Sequence, residues 1–305
     1  MNTLVTGATG FIGRALVQEL VRRGHRVVAL TRRPDAARKT LGPGVQVTEW
    51  RASGRGPWMG AFNQADGVVN LAGVPVVSPL KPWTESYRAA VRDSRVNATR
   101  AVVEGIRSAE TRPRVLVNQS AIGYYGSQGA TPLTEESPPG NDFLSEVVQA
   151  WEAAARPAEE LGVRLVLPRT GIVLGRGGLL TQFSLPFRFF AGGTMGYPDQ
   201  WVSWIHLDDE VAILADSLEG ELRGPINATA PEPVTMDVLS RQIGAVLHRP
   251  VWVPFYGPFL KLVLGKRAEA VLASQRVLPE RLQAAGYAFR FRDIGEAVPA
   301  SLLKS

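Results

Sequence analysis

Short apolar runs alternate with amphipathic stretches through the first two-thirds of this 305-residue chain. Thr3-Leu4-Val5 is the first run, and Leu16, Val17, Leu20 and Val21 then recur at helical spacing until Gly24. Further short runs over residues 26–30, 45–49, 67–71, 115–119 and 164–169 predict strands, while 84–108 and 143–161 read as long helices. Strands that are apolar along their whole length, each followed by a helix, predict an α/β fold: a doubly wound parallel sheet with helices on both faces. Ligands of such sheets sit at the carboxyl ends of the strands, so the turns after Thr6, Leu30, Leu71, Gln119 and Leu167 form the expected functional edge.

The pattern changes near residue 175. Gly175-Arg176-Gly177-Gly178 opens a glycine-punctuated stretch containing Phe183, Phe187, Phe189 and Phe190. Residues 202–206 read as a strand and 207–218 as a helix, and Val251-Trp252-Val253-Pro254 begins the last series of small pieces. The expected division is therefore a nucleotide-binding domain over 1–175 and a substrate-side region over 176–305. That region ends in a small unit from about 235 to 305, with some segments crossing back to the main sheet.

Composition narrows the class. Hydrophobic residues make up 45%, no apolar run reaches membrane-spanning length, and cysteine is absent, which removes disulfides and thiolate chemistry. The chain enters a strand at once, leaving no room for a signal peptide, so a cytoplasmic protein is expected. The net charge of +6 is spread as scattered arginines without a basic block, and no nucleic-acid motif accompanies it. The three histidines have no metal-ligand spacing. The expected partner is a small molecule, with no nucleic acid, membrane or metal, and the protein is a monomer or homodimer.

The first strand runs into Gly7-Ala8-Thr9-Gly10-Phe11-Ile12-Gly13, and a helix follows. Gly7 permits the turn, Gly10 lets backbone approach a pyrophosphate, and Gly13 lets the helix lie close to the sheet. The helix start then offers free N–H groups to phosphate. The second strand ends in Thr31-Arg32-Arg33, where a site for NAD carries a carboxylate; a guanidinium suits the 2′-phosphate of NADP instead. A solvated arginine loop is the alternative at that position.

Four segments together resemble the extended short-chain dehydrogenase/reductase superfamily: Thr6–Gly13 (TGATGFIG), Asn70–Gly73 (NLAG), Ser120–Gly126 (SAIGYYG) and Trp204–Asp208 (WIHLD). More narrowly they are similar to its atypical NAD-dependent epimerase/dehydratase branch, whose small C-terminal domain resembles Leu264-Gly265, Gln275–Pro279 and Gly286–Phe289. The resemblance implies a Rossmann-type fold and a cofactor site. Gly7, Thr9, Gly10, Phe11, Ile12 and Gly13 would lie at the pyrophosphate, Thr31 and Arg32 at the adenosine ribose, and Asn70, Leu71 and Ala72 along the cofactor. Glu85 and Arg95 would either touch the adenine side or form a helix-surface ion pair.

One departure separates the chain from the superfamily. Members use a Ser or Thr with Tyr-x-x-x-Lys, in which the Lys lowers the Tyr pKa and holds the nicotinamide ribose. None of the six tyrosines here has Lys four residues later; Leu144 and Val148 fall at the Tyr and Lys positions and Ala121 at the Ser position. Ser120, Tyr124 and Tyr125 remain as candidates for chemistry, against a reading of them as a turn and two packed aromatics. The implied function is an NADP(H)-dependent oxidoreductase or epimerase-like protein for an unknown small molecule. A cofactor-binding sensor without chemistry is the alternative.

Overall fold

The structure, a computed structural model, describes residues 1–52, 54–76, 83–253, 255–265 and 268–303. Strands β1 (Asn2–Thr6), β2 (Arg26–Thr31), β3 (Gln46–Glu49), β4 (Gly67–Asn70) and β5 (Val115–Asn118) come first. Two-residue pieces β6 (Ser120–Ala121) and β7 (Pro132–Leu133) precede β8 (Arg164–Thr170) and β9 (Ile172–Leu174). The chain adds β10 (Met195–Gly196), β11 (Trp201–Val202), β12 (Trp204–His206) and β13 (Gly224–Ala228). The principal sheet runs β13-β8-β5-β4-β1-β2-β3, and every pairing along it is parallel. The chain starts in the middle, winds outward to β3, then returns across β1 to β4. That reversal opens a crevice at the carboxyl ends of β1 and β4.

Alternate strand residues feed two cores. Val5, Val69, Val117 and Val166 face α1 (Phe11–Arg22) and α7 (Leu207–Glu219). Leu4, Val68, Leu116 and Leu165 face α3 (Glu85–Ser108), packing with Val102, Ile106 and Phe62. Thr84 caps α3 by accepting a bond from the Tyr87 N–H. Further helices are α2 (Pro34–Leu41), α4 (Phe143–Ala155), α5 (Pro157–Glu160), α6 (Leu179–Arg188) and α8 (Met236–Leu247), and short helices follow at Gly257–Leu264, Ala268–Leu272, Glu280–Ala284 and Ile294–Leu302.

The structure departs from the sequence expectation in several places. The single helix expected over 143–161 is two, because Pro157 has no N–H to continue the ladder. The strand expected over 202–206 breaks at Ser203: β11 pairs antiparallel with Val234–Thr235, and β12 pairs parallel with β9. Strand β13 was not foreseen; Pro225 is tolerated there because β13 is an edge strand. Residues 251–253 have no regular structure, and Pro254 lies outside the described residues.

After residue 175 the chain divides between the main sheet and a core cluster of its own. Helix α7 and β13 return to the main sheet, and α8 packs in one cluster with Leu180 and Phe187 of α6, Trp204, and Ile294 and Val298 of the last helix, Ile294–Leu302. Both carboxylate oxygens of Asp209 on α7 accept backbone N–H bonds, from Arg290 (2.7 Å) and Phe291 (3.0 Å).

Asn70 sits fully buried where the strand order reverses. Its Oδ1 accepts from Thr6 Oγ1 (2.6 Å), and its Nδ2 donates to Asn118 Oδ1 (2.6 Å) and Thr99 Oγ1 (3.0 Å). Asn70→Ala leaves those partners buried without it, so it should cost about 3 kcal/mol in chemical denaturation. Unchanged stability would show the node to be dispensable.

Candidate functional site

The three glycines of the first turn have different surroundings. Gly7 has φ +67°, and a Cβ there would stand 2.6 Å from the Leu71 carbonyl oxygen. A Cβ on Gly13 would run into the Gly7 backbone. The fold itself requires both. Gly10 is exposed and extended, and a Cβ there would meet only the Gly7 oxygen, at 3.1 Å. It is the N-cap of α1, makes no side-chain cap bond, and leaves a first turn without an acid. The start of α1 thus presents unpaired N–H groups across open space, the arrangement that accepts a phosphate.

The other expected residues surround this turn in distinct ways. Thr9 is exposed beside Gly10. The Phe11 ring reaches under the later glycine loop, where a Cβ on Gly178 would be 2.8 Å from it, and Ile12 joins the core. Both residues offer a ligand their backbone, not their side chains. Leu71 and Ala72 are half-buried at the edge, whereas the Asn70 side chain is turned inward. At the end of β2, Thr31 Oγ1 accepts the Arg33 N–H at 3.2 Å. Arg32 and Arg33 are exposed, and neither has an ion-pair partner among the described residues. Asp35 is engaged by Arg38 at 2.8 Å.

A cleft of about 670 Å³ opens at the carboxyl ends of β5 and β8. Ala121, Ile122 and Gly123 form one side, and Leu179, Phe183 and Pro186 of α6 with Trp201 form the other. The turn after the fifth strand and the glycine-rich segment are thereby brought together. Leu144 and Val148 of α4 line the cleft, so apolar carbon stands at the two positions where the superfamily carries Tyr and Lys.

Arg95 also lines this cleft, while Glu85 is exposed in the first turn of α3. The two lie about 15 Å apart along the helix. The structure therefore does not join them, either as an ion pair or at one ligand group.

Ser120, Tyr124 and Tyr125 are not among the residues lining the cleft. Ser120 Oγ donates to Glu152 Oε1 (2.6 Å), and Arg169 grips both Glu152 oxygens at 2.9 and 3.0 Å. Tyr125 OH donates to Asn227 Oδ1 (2.6 Å) and accepts from Arg169 Nη1 (3.0 Å). Burial pushes the Tyr125 phenol up to about 12, the wrong direction for a base at neutral pH. Tyr124 lies under the Arg169 guanidinium, 3.4 Å from carbon to ring centroid. The three candidates for chemistry are thus gathered on a buried Glu152–Arg169 pair. Sequence reading missed that pair, whose only signal is a charge within an apolar helix face and an apolar strand. His206 is likewise occupied: its Nδ1 accepts the Asp208 N–H at 3.1 Å as the cap of α7, and burial lowers its pKa.

Glu210 was also missed. It is fully buried, with Oε1 accepting from Thr170 Oγ1 at 2.8 Å, and Thr170 lines the cleft. Burial raises its carboxyl from the ordinary 4.5 to about 7. Among the described residues no group of three or more potential ligands could hold a metal ion, and no helix is long and apolar enough to cross a membrane.

Comparison with known proteins matches residues 3–220 to the NAD-dependent epimerase/dehydratase family and residues 257–300 to a domain of unknown function (DUF1731). The chain belongs to the NAD-dependent epimerase/dehydratase family. A relative from Arabidopsis thaliana, "epimerase family protein SDR39U1 homolog, chloroplastic", is 39% identical over 98% of this chain and 86% of its own length. The human epimerase family protein SDR39U1 is 37% identical, covering 98% of both chains. The crystal structure of that human family member (isoform 2) with NADPH superposes with a TM-score of 0.88, 36% identity, and coverage of 99% of this chain and 100% of that one. A nucleoside-diphosphate sugar epimerase from Corynebacterium glutamicum gives a TM-score of 0.79 at 32% identity, over 99% of this chain and 58% of that one. The family assignment fits both the glycine turn and the terminal pieces read from sequence.

Because folding raises the Glu210 pKa, the folded state holds the proton more tightly than the unfolded state. This group therefore costs nothing well below pH 4.5, and its cost grows as pH rises from 4.5 through 7. Glu210→Gln should remove that loss, which is up to about 3 kcal/mol. Denaturation at pH 5 and pH 8 should show the variant gaining on the wild type at the higher pH; a pH-independent difference would place Glu210 in a solvated setting.

Proposed function

We propose that the chain is an NADP(H)-binding oxidoreductase or epimerase-like protein acting on a small molecule held in the apolar cleft. The observation that carries this reading is the open Gly10 at an uncapped helix start, with two unpaired arginines at the end of the next strand. Gly10, Phe11, Ile12 and Gly13 would hold the pyrophosphate through backbone N–H groups. Arg32 would bind the 2′-phosphate, with Thr31 beside the ribose, and Leu71 and Ala72 would line the passage toward the cleft. The bound dinucleotide supplies hydride chemistry. The protein's part is to orient its partner between Ala121–Gly123 and α6 and to keep water out with Leu144, Val148, Phe183 and Trp201. The human relative solved with NADPH supports the choice of dinucleotide.

Leu144 and Val148 favour a second reading, a cofactor-dependent sensor in which the cleft binds without turnover. The two readings share the cofactor and differ in turnover. Neither provides a lysine-tuned tyrosine, so standard nucleotide-sugar epimerisation should be weak or absent at neutral pH. Robust turnover of a nucleotide sugar would contradict both.

Calorimetry should show NADPH binding more tightly than NADH. Arg32→Ala should reduce NADPH affinity by about 10- to 150-fold, as expected for a lost charged hydrogen bond, and leave NADH nearly unaffected. Gly10→Val should abolish binding of both while the protein stays folded, with at most a modest fall in melting temperature because the added Cβ meets only the Gly7 carbonyl oxygen, at 3.1 Å. Near-normal NADPH binding by folded Gly10→Val would reduce the loop to a turn.

A further inference from the structure

Arg95 is the one basic residue among the described residues that line the cleft. It projects from α3 toward α4, with its guanidinium carbon 5.1 Å from the centroid of the Trp151 ring. Trp151 lies one turn beyond Val148 on α4, and all three residues face the same cleft. Gly73 makes room for the guanidinium, since a Cβ there would be 3.2 Å from its central carbon. Nη1 donates to the Val74 and Val91 carbonyls, both at 2.9 Å. Among the described residues Nε and Nη2 find no acceptor, and no carboxylate pairs with the charge. Burial lowers its pKa to about 10, so the charge is desolvated without an acid to compensate it. It is still protonated at neutral pH. A cation left in this state, lining a cleft with two nitrogens that have no acceptor among the described residues, has the properties of a group that waits for a ligand.

We propose that Arg95 supplies from α3 the cation that α4 lacks at Val148, and holds the nicotinamide ribose of bound NADP(H) through Nε and Nη2. This rests on the NADP(H) reading above. It moves Arg95 from the adenine side of the cofactor to the nicotinamide end and gives it a positioning role. A guanidinium differs from the ammonium it replaces because it does not release a proton near neutral pH. It anchors the ribose without relaying protons, in keeping with the missing tyrosine. Its charge also opposes that of the oxidised nicotinamide ring, so it favours the reduced cofactor.

The test measures binding, not turnover. NADPH, NADP⁺ and 2′,5′-ADP, which carries only the adenine half, are titrated calorimetrically into wild type, Arg95→Met and Arg95→Lys. In Arg95→Met, NADPH affinity should fall by about 10-fold or more, as for a charged hydrogen bond, while 2′,5′-ADP binding stays unchanged. The preference for NADPH over NADP⁺ should narrow in the same variant, and Arg95→Lys should recover part of both. A merely structural role would not move the NADPH-to-NADP⁺ ratio. If Arg95→Met fails to fold, Arg95→Gln carries the same comparison. Unchanged NADPH affinity overturns the proposal and leaves Arg95 to a substrate anion, and equal loss for 2′,5′-ADP overturns it by returning Arg95 to the adenine side. Wild type that binds no NADPH at all refutes the underlying function instead, so the two failures are distinguishable.

Discussion

The buried amide of Asn70 is the constraint on which the rest of the architecture depends. The strand order reverses between β1 and β4, which pair directly up to Thr6 opposite Asn70; beyond that pair the helices that follow them diverge to opposite faces and leave a gap. Asn70 closes the gap by bonding Thr6 on β1, Asn118 on β5 and Thr99 on α3. Thr99 in turn accepts the Trp151 indole N–H at 3.0 Å, so the same node sets the position of α4. Trp151 then supports Arg95. One polar cluster in an apolar interior thus fixes the glycine turn, both helices that wall the cleft, and the cation inside it. Such a cluster is stable only when its members are mutually satisfied, which makes it specific as well as sensitive.

A second polar cluster lies behind the cleft and answers a different need. Glu152 and Arg169 are both almost fully buried, and burying the pair is tolerated because each oxygen and several N–H groups find partners. Ser120 and Tyr125 are among those partners. Residue types that serve acid–base chemistry elsewhere in the superfamily are here bound into scaffold, while the cleft surface in front of them is apolar. The cleft surface therefore presents apolar shape and the Arg95 charge, while these side chains are held away from it.

What the sequence could reveal followed the range of the interaction. The strand–glycine–helix opening is local, so the turn, the strand order's starting point and the steric need for Gly7 and Gly13 were legible from neighbouring residues. The apolar runs of β4, β5 and β8 were equally plain because both faces are covered. Strand β13 was not, since an edge strand that begins Gly-Pro lacks the apolar run of a central one. Tertiary partners were beyond reach: nothing near Ser120 or Tyr125 announces Glu152, Arg169 or Asn227. Arg95 was legible as a residue of interest, but its place in the cleft depends on α4 crossing α3. Glu210 was hidden within an acidic first turn whose other members, Asp208 and Asp209, face an exposed arginine and backbone N–H groups.

The third core cluster has a consequence for how the protein comes into being. Helix α6 carries one wall of the cleft, yet Leu180 and Phe187 on its inner side are covered by α8 and by Ile294 and Val298 near the end of the chain. The glycine turn and its strands draw their core mainly from earlier segments together with α7 and β13, and only Leu282 and Phe289 of its buried members come later. During synthesis the nucleotide half therefore has nearly all its partners well before the opposite wall has any lasting support. Docking of Ile294–Leu302 therefore completes the support of the wall that α6 carries, so a polypeptide can hold its glycine turn before it holds both walls of the chamber.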